Sequence, residues 1–106
     1  MIETLVRVFV PASIILAATQ TAVVAADAEY GEYLSAECVT CHQLSGADDG
    51  IPPITGWDVE SFVAVLKSYK EKERENQAMQ LITSNLGEEE MAALAAYFAT
   101  LKPGGE

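Results

Sequence analysis

The chain has 106 residues, 16 of them acidic and 6 basic, for a formal net charge of −10 at pH 7. That length accommodates one domain and no more. The acidic balance argues against nucleic acid and against anionic membrane surfaces as partners, and suits solubility or a partner with a basic docking patch.

The N-terminus reads as an export segment. Met1 to Arg7 carries one Arg and one Glu, and an apolar run from Val8 to Ala18 follows, interrupted by Pro11 and Ser13. Small residues close the segment at Val24-Ala25-Ala26 and again at Ala26-Asp27-Ala28. This is the order of a secretory signal peptide, and cleavage is expected after Ala26, with Ala28 as the second choice. The apolar run is short of the roughly 20 residues a membrane span needs. The expectation is a signal peptide over residues 1–26, export to the periplasm, and a mature domain over 27–106 with no stable membrane insertion.

Residues 29–41 predict a helix, because Tyr30, Leu34 and Cys38 share one face and Glu29 and Glu32 occupy the first turn, where the helix dipole favours acid. Gly31 lets another backbone come close. Residues 43–57, QLSGADDGIPPITGW, predict a loop, broken by glycines and by Pro52-Pro53. A second helix is expected over 58–74, capped by Asp58, with Val59, Phe62, Val63, Leu66 and Tyr69 as its apolar stripe. Its charged end offers Lys67–Glu71 as an i,i+4 pair. Residues 76–87 predict an irregular connection with at most a helical turn around Met79 to Thr83. A third helix runs from Glu88 to about Leu101, with Met91, Leu94, Ala95, Phe98 and Leu101 on one face and Pro103 as its stop. No strand pattern is present, so the domain is expected to be all-α.

The chemistry lies in Cys38-Val39-Thr40-Cys41-His42, the C-x-x-C-H signature of c-type haem attachment. Two thiols on one helical turn can each form a thioether to a haem vinyl group, and the adjacent imidazole can bind iron. His42 is the single histidine. A thioredoxin-like dithiol needs a βαβ context that is missing, and a structural zinc site needs four ligands where this segment offers three. With no second histidine, the sixth iron ligand is expected to be a methionine. Met1 leaves with the signal peptide, Met91 lies on a core stripe, and Met79 lies in the irregular segment, so Met79 is the expected ligand. A carbonyl of the proline loop is expected to accept the second ring N–H of His42 and so orient it.

These motifs, in this order, resemble a class I cytochrome c. C-x-x-C-H follows a short helix, Pro52-Pro53-Ile54-Thr55-Gly56 is similar to the family's P-x-(L/I)-x-G loop, and Leu94-Ala95-Ala96-Tyr97-Phe98 lies on a C-terminal helix. The resemblance covers residues 30–102. It implies a class I cytochrome c fold, with three main helices wrapped around one covalently bound haem c. It also implies that the Pro52 carbonyl holds His42, and that the terminal helices cross through Gly31, Leu34, Leu94 and Tyr97. Within the class, the stretch from Met79 through Glu88-Glu89-Glu90 to Ala96-Tyr97-Phe98, and the helix opening Val59-Glu60-Ser61-Phe62, resemble the cytochrome subunit of flavocytochrome c sulfide dehydrogenase. Gln43 departs from the glycine that often follows the haem motif, and one motif stands where some of those subunits carry two. The resemblance implies a heterodimer with a flavoprotein subunit that passes electrons to Cys38/Cys41-bound haem, in a chain that is not catalytic by itself. The alternatives are a free shuttle to a terminal oxidase or other redox partner, and a five-coordinate cytochrome that binds a gas.

Overall fold

The computed structural model describes residues 11–14, 26–45, 48 and 50–103. The predicted signal peptide lies outside the described residues, apart from 11–14 and Ala26. Among the described residues there are five α-helices and no strand: α1 (Ala28–Leu34), α2 (Ala36–Val39), α3 (Val59–Lys70), α4 (Gln77–Ser84) and α5 (Glu88–Thr100). The domain is all-α as expected, with five helices in place of three. No described helix is long and apolar enough to cross a membrane.

The first predicted helix, 29–41, is two helices. Asp27 caps α1, its side chain accepting from the N–H groups of Glu29 and Tyr30 at 3.0 and 3.2 Å. The break falls at buried Ser35, whose hydroxyl donates back to the Glu32 carbonyl at 2.6 Å. A serine that satisfies its hydroxyl on the preceding turn competes with the regular backbone ladder. Past α2 the winding continues for one further turn, with the N–H groups of Cys41 and His42 both donating to the Cys38 carbonyl, at 3.2 and 2.8 Å.

The second predicted helix, 58–74, ends at Lys70. Asp58 caps it as expected. The Ser61 hydroxyl and backbone N–H both donate to the Asp58 carboxylate, which is held below its ordinary pKa by these bonds, the hydroxyl first. At the other end the Lys72 N–H donates to the Tyr69 carbonyl at 3.0 Å, and the Glu73 N–H to the Ser68 carbonyl at 2.8 Å. That pair of bonds is a Schellman cap, and Lys72 occupies its left-handed position with φ of 61°. A left-handed L-residue costs roughly 1–2 kcal/mol, part of which a glycine gives back through its freer unfolded chain. Lys72→Gly is therefore expected to stabilise the folded protein by about 0.5–1 kcal/mol. Chemical denaturation of the haem-loaded protein checks this, and a lower midpoint in the glycine variant would contradict the assignment.

Residues 76–87 are the largest difference from expectation. They contain a complete eight-residue helix, α4, capped by Asn76, whose side-chain oxygen accepts from the Met79 N–H at 3.0 Å.

The core lies where α3 and α5 meet. Phe62, Leu66, Met91, Leu94, Ala95 and Phe98 are buried together. The Phe62 and Phe98 rings stack at 5.4 Å, and Trp57 meets Phe62 edge-on at 6.2 Å. Stacked and edge-on aromatic pairs add about 0.5–1.5 kcal/mol each beyond their buried area. The terminal helices α1 and α5 cross at Gly31, packed against the Ala93 carbonyl and the Tyr97 side chain. The proline loop is tied to α5 by the Gly56 N–H, which donates to the Phe98 carbonyl at 2.9 Å. The i,i+4 pair Lys67–Glu71 does not form. Lys67 reaches Glu88 across the α3–α5 gap at 3.4 Å. Both side chains are exposed, and such pairs contribute at most about 1 kcal/mol.

Candidate functional site

Among the described residues the helices leave a cavity of about 420 Å³, a size typical of sites for small organic ligands, which run from about 300 to 1,000 Å³. Its walls are mainly apolar: Ile54, Trp57, Leu66, Ile82 and Leu94 all face it. All five residues singled out from the sequence line this one space: Cys38, Cys41, His42, Pro52 and Met79.

They arrive from three pieces of the fold: α2 with the turn after it, the proline loop, and α4. Cys38 is carried by α2 and packs half-buried against the core. Cys41 follows in the next turn and is exposed. Burial, aided by the Glu37 carboxylate, pushes the Cys38 thiol up to about 11. Reactive C-x-x-C dithiols work the other way, with a depressed thiol pKa. An apolar niche that disfavours thiolate suits a sulfur destined for an uncharged thioether.

His42 Nδ1 lies 2.6 Å from the Pro52 carbonyl oxygen. A carbonyl can only accept, so Nδ1 carries the proton and donates it there. Nε2 is then the ring nitrogen that remains to bind a metal. The loop that presents this carbonyl is anchored beyond it by Gly56, whose N–H donates to the Phe98 carbonyl. At Gly56, φ is +74°, and a Cβ would lie 2.6 Å from the Pro103 ring.

The two candidate methionines separate. Met91 is 2% exposed, inside the core, and does not line the cavity. Met79, on the first turn of α4, is half-buried and does line it. Its backbone is held at both ends: the N–H by Asn76, and the carbonyl by the hydroxyl of fully buried Thr83, at 2.7 Å.

Among the further lining residues, Arg74, Asn76 and Leu81 were not singled out from the sequence, and Tyr69 was read as part of a core stripe. Arg74 lies over the Tyr69 ring at 5.9 Å, and its carbonyl accepts from the Gln80 side chain at 2.8 Å. Asn76 had a readable signal, an Asn directly ahead of eight residues free of Gly and Pro. Arg74 sits inside a mixed charge run and had none.

Two thiols on one turn, an imidazole with one nitrogen committed and the other free, a thioether and an apolar enclosure together fit haem c. A family model for cytochrome c matches residues 28–102. The chain belongs to the cytochrome c family. The all-α architecture is that of a class I cytochrome c, and the family assignment makes the chain an electron-transfer protein that uses a c-type haem. No curated protein matches the chain.

Proposed function

We propose that this cytochrome works in the periplasm after removal of residues 1–26. Cys38 and Cys41 would hold one covalent haem c, and His42 and Met79 would be the protein ligands to its iron. The observation that carries this reading is the convergence of all five residues on one cavity, with the His42 Nδ1–H already committed to the Pro52 carbonyl. When bound, haem c supplies one-electron exchange between ferric and ferrous iron. The chain's own residues do the rest. Cys38 and Cys41 fix the group to α2 and the turn after it. Pro52 fixes the imidazole plane and keeps Nε2 as the donor atom. Met79 would supply a thioether as the second protein ligand to the iron, a ligand that raises the potential. Ile54, Leu66, Ile82 and Leu94 keep water away. With both axial positions held by protein, the chain passes electrons and does no bond chemistry of its own.

The electron donor is, on this reading, a flavoprotein subunit that oxidises sulfide, joined to the chain as a heterodimer. Support comes from the resemblance of the α3 opening and the Met79-to-Phe98 stretch, and from the rim of the cavity. Leu81 is 70% exposed and Ile51 40%, and both line the cavity mouth. Exposed apolar side chains around a redox site suit docking to another protein. The same rim would serve a free shuttle equally well. Purification from the native source decides between them. A stable one-to-one complex containing flavin supports the subunit reading. A haem protein that elutes alone as a monomer overturns it in favour of the shuttle.

A further inference from the structure

The cap of α4 is joined to the residue that supplies the proposed thioether. In α3 the equivalent cap, Asp58, accepts from Ser61, which does not line the cavity. In α4 the cap is Asn76, and the N–H it accepts is that of Met79 itself, at 3.0 Å. The Met79 carbonyl is taken by Thr83, whose hydroxyl is wholly buried and cannot turn to water instead. A third bond, from the Gln80 side chain to the Arg74 carbonyl at 2.8 Å, closes the chain leading into the cap back onto the helix. The Gln80 N–H donates to the Asn76 carbonyl at 2.9 Å. The left-handed Lys72 ends α3 just ahead of this segment, so the approach to Met79 is short.

We propose that Asn76 is a positioning residue for Met79, setting how firmly the thioether stays in the sixth coordination position and so how well that position resists small external ligands. The inference rests on the reading that Met79 is the ligand. An external ligand reaches the iron only when Met79 has swung away. Its observed affinity therefore scales with the population of that open state. Losing the Asn76 side chain frees the first turn of α4 to fray. The closed state is weakened while the rest of the core stays intact.

The test is imidazole binding to the ferric, haem-loaded protein, followed optically. Asn76→Ala is expected to bind imidazole about threefold to thirtyfold more tightly than wild type, the range that follows from typical cap losses. Asn76→Asp and Asn76→Ser keep a capping oxygen and are expected to return to within about twofold of wild type. Asp58→Ala, which removes the matching cap from α3, is expected to lower overall stability and leave imidazole affinity unchanged. Unchanged affinity in Asn76→Ala, or an equal rise in Asp58→Ala, overturns the proposal while leaving Met79 ligation standing. Wild-type ferric protein that lacks the weak near-infrared methionine-to-iron band overturns the Met79 reading, and this inference with it.

Discussion

Met79→Ala is expected to give a folded cytochrome with an altered iron. The near-infrared methionine-to-iron band disappears, the untreated ferrous protein binds carbon monoxide rapidly, and the midpoint potential falls. Axial ligand identity tunes haem potentials over about 0.8 V, and losing the thioether is expected to lower this one by something on the order of 100 mV or more. The fold should survive, because Met79 lies half-buried on a cavity wall and not inside the α3–α5 core. Met91→Ala is the counterpart. Met91 is 2% exposed among Phe62, Leu94 and Phe98, so its truncation leaves a cavity and costs about 2–5 kcal/mol. Yet the near-infrared band should persist in that variant. Optical spectra and denaturation curves of the two variants check both halves. Rapid carbon monoxide binding by wild type would show an open sixth position and contradict the ligation.

Gly31→Ala is the second change with a large expected effect. In an ordinary helix this substitution gains up to about 1 kcal/mol in helix propensity. Here the added Cβ would lie 1.9 Å from the Ala93 carbonyl oxygen, 2.6 Å from its carbon and 2.8 Å from the Tyr97 Cβ. Two of these obstacles are backbone atoms of α5, which cannot rotate aside, so α1 must move off α5. Overpacking of this kind costs about 1–3 kcal/mol, and a backbone clash belongs at the upper end or beyond. A net loss of at least about 2 kcal/mol is expected, or roughly 10 °C in melting temperature for a domain of this size. Gly50→Ala makes the contrast. At Gly50, φ is +95° but nothing lies within 4 Å, so only the backbone strain remains, about 1 kcal/mol. Thermal melts of the haem-loaded variants check the order. Equal effects at the two glycines would contradict the helix crossing.

The sequence carried the grouping of the candidate site residues well and the short-range architecture less well, for definite reasons. C-x-x-C-H is a local motif, and the Pro52 carbonyl does meet His42 Nδ1. The stripes of α3 and α5 were legible through Phe62, Leu66, Met91, Leu94, Ala95 and Phe98, which are buried together, although Val59 of the predicted stripe is exposed and Tyr69 lines the cavity. α4 was read as irregular because it is only eight residues long and is followed closely by Asn85 and Gly87, residues that suit a connection. Met79 and Ile82 face the cavity, and Leu81 is 70% exposed at its mouth. The Ser35 break is a side-chain-to-backbone bond with no compositional mark. The early end of α3 was hidden because a lysine, not a glycine, sits at the left-handed position. The exchange of Glu71 for Glu88 as partner of Lys67 follows from how α3 lies beside α5, a long-range fact that no i,i+4 rule contains.

The central claim is one haem held covalently by Cys38 and Cys41 on the mature chain. The intact mass of the purified protein under denaturing conditions tests it most directly. The expected mass is that of a chain beginning at Asp27 plus one haem, with Cys38→Ala and Cys41→Ala each losing one thioether. A wild-type mass equal to the bare polypeptide would contradict the account.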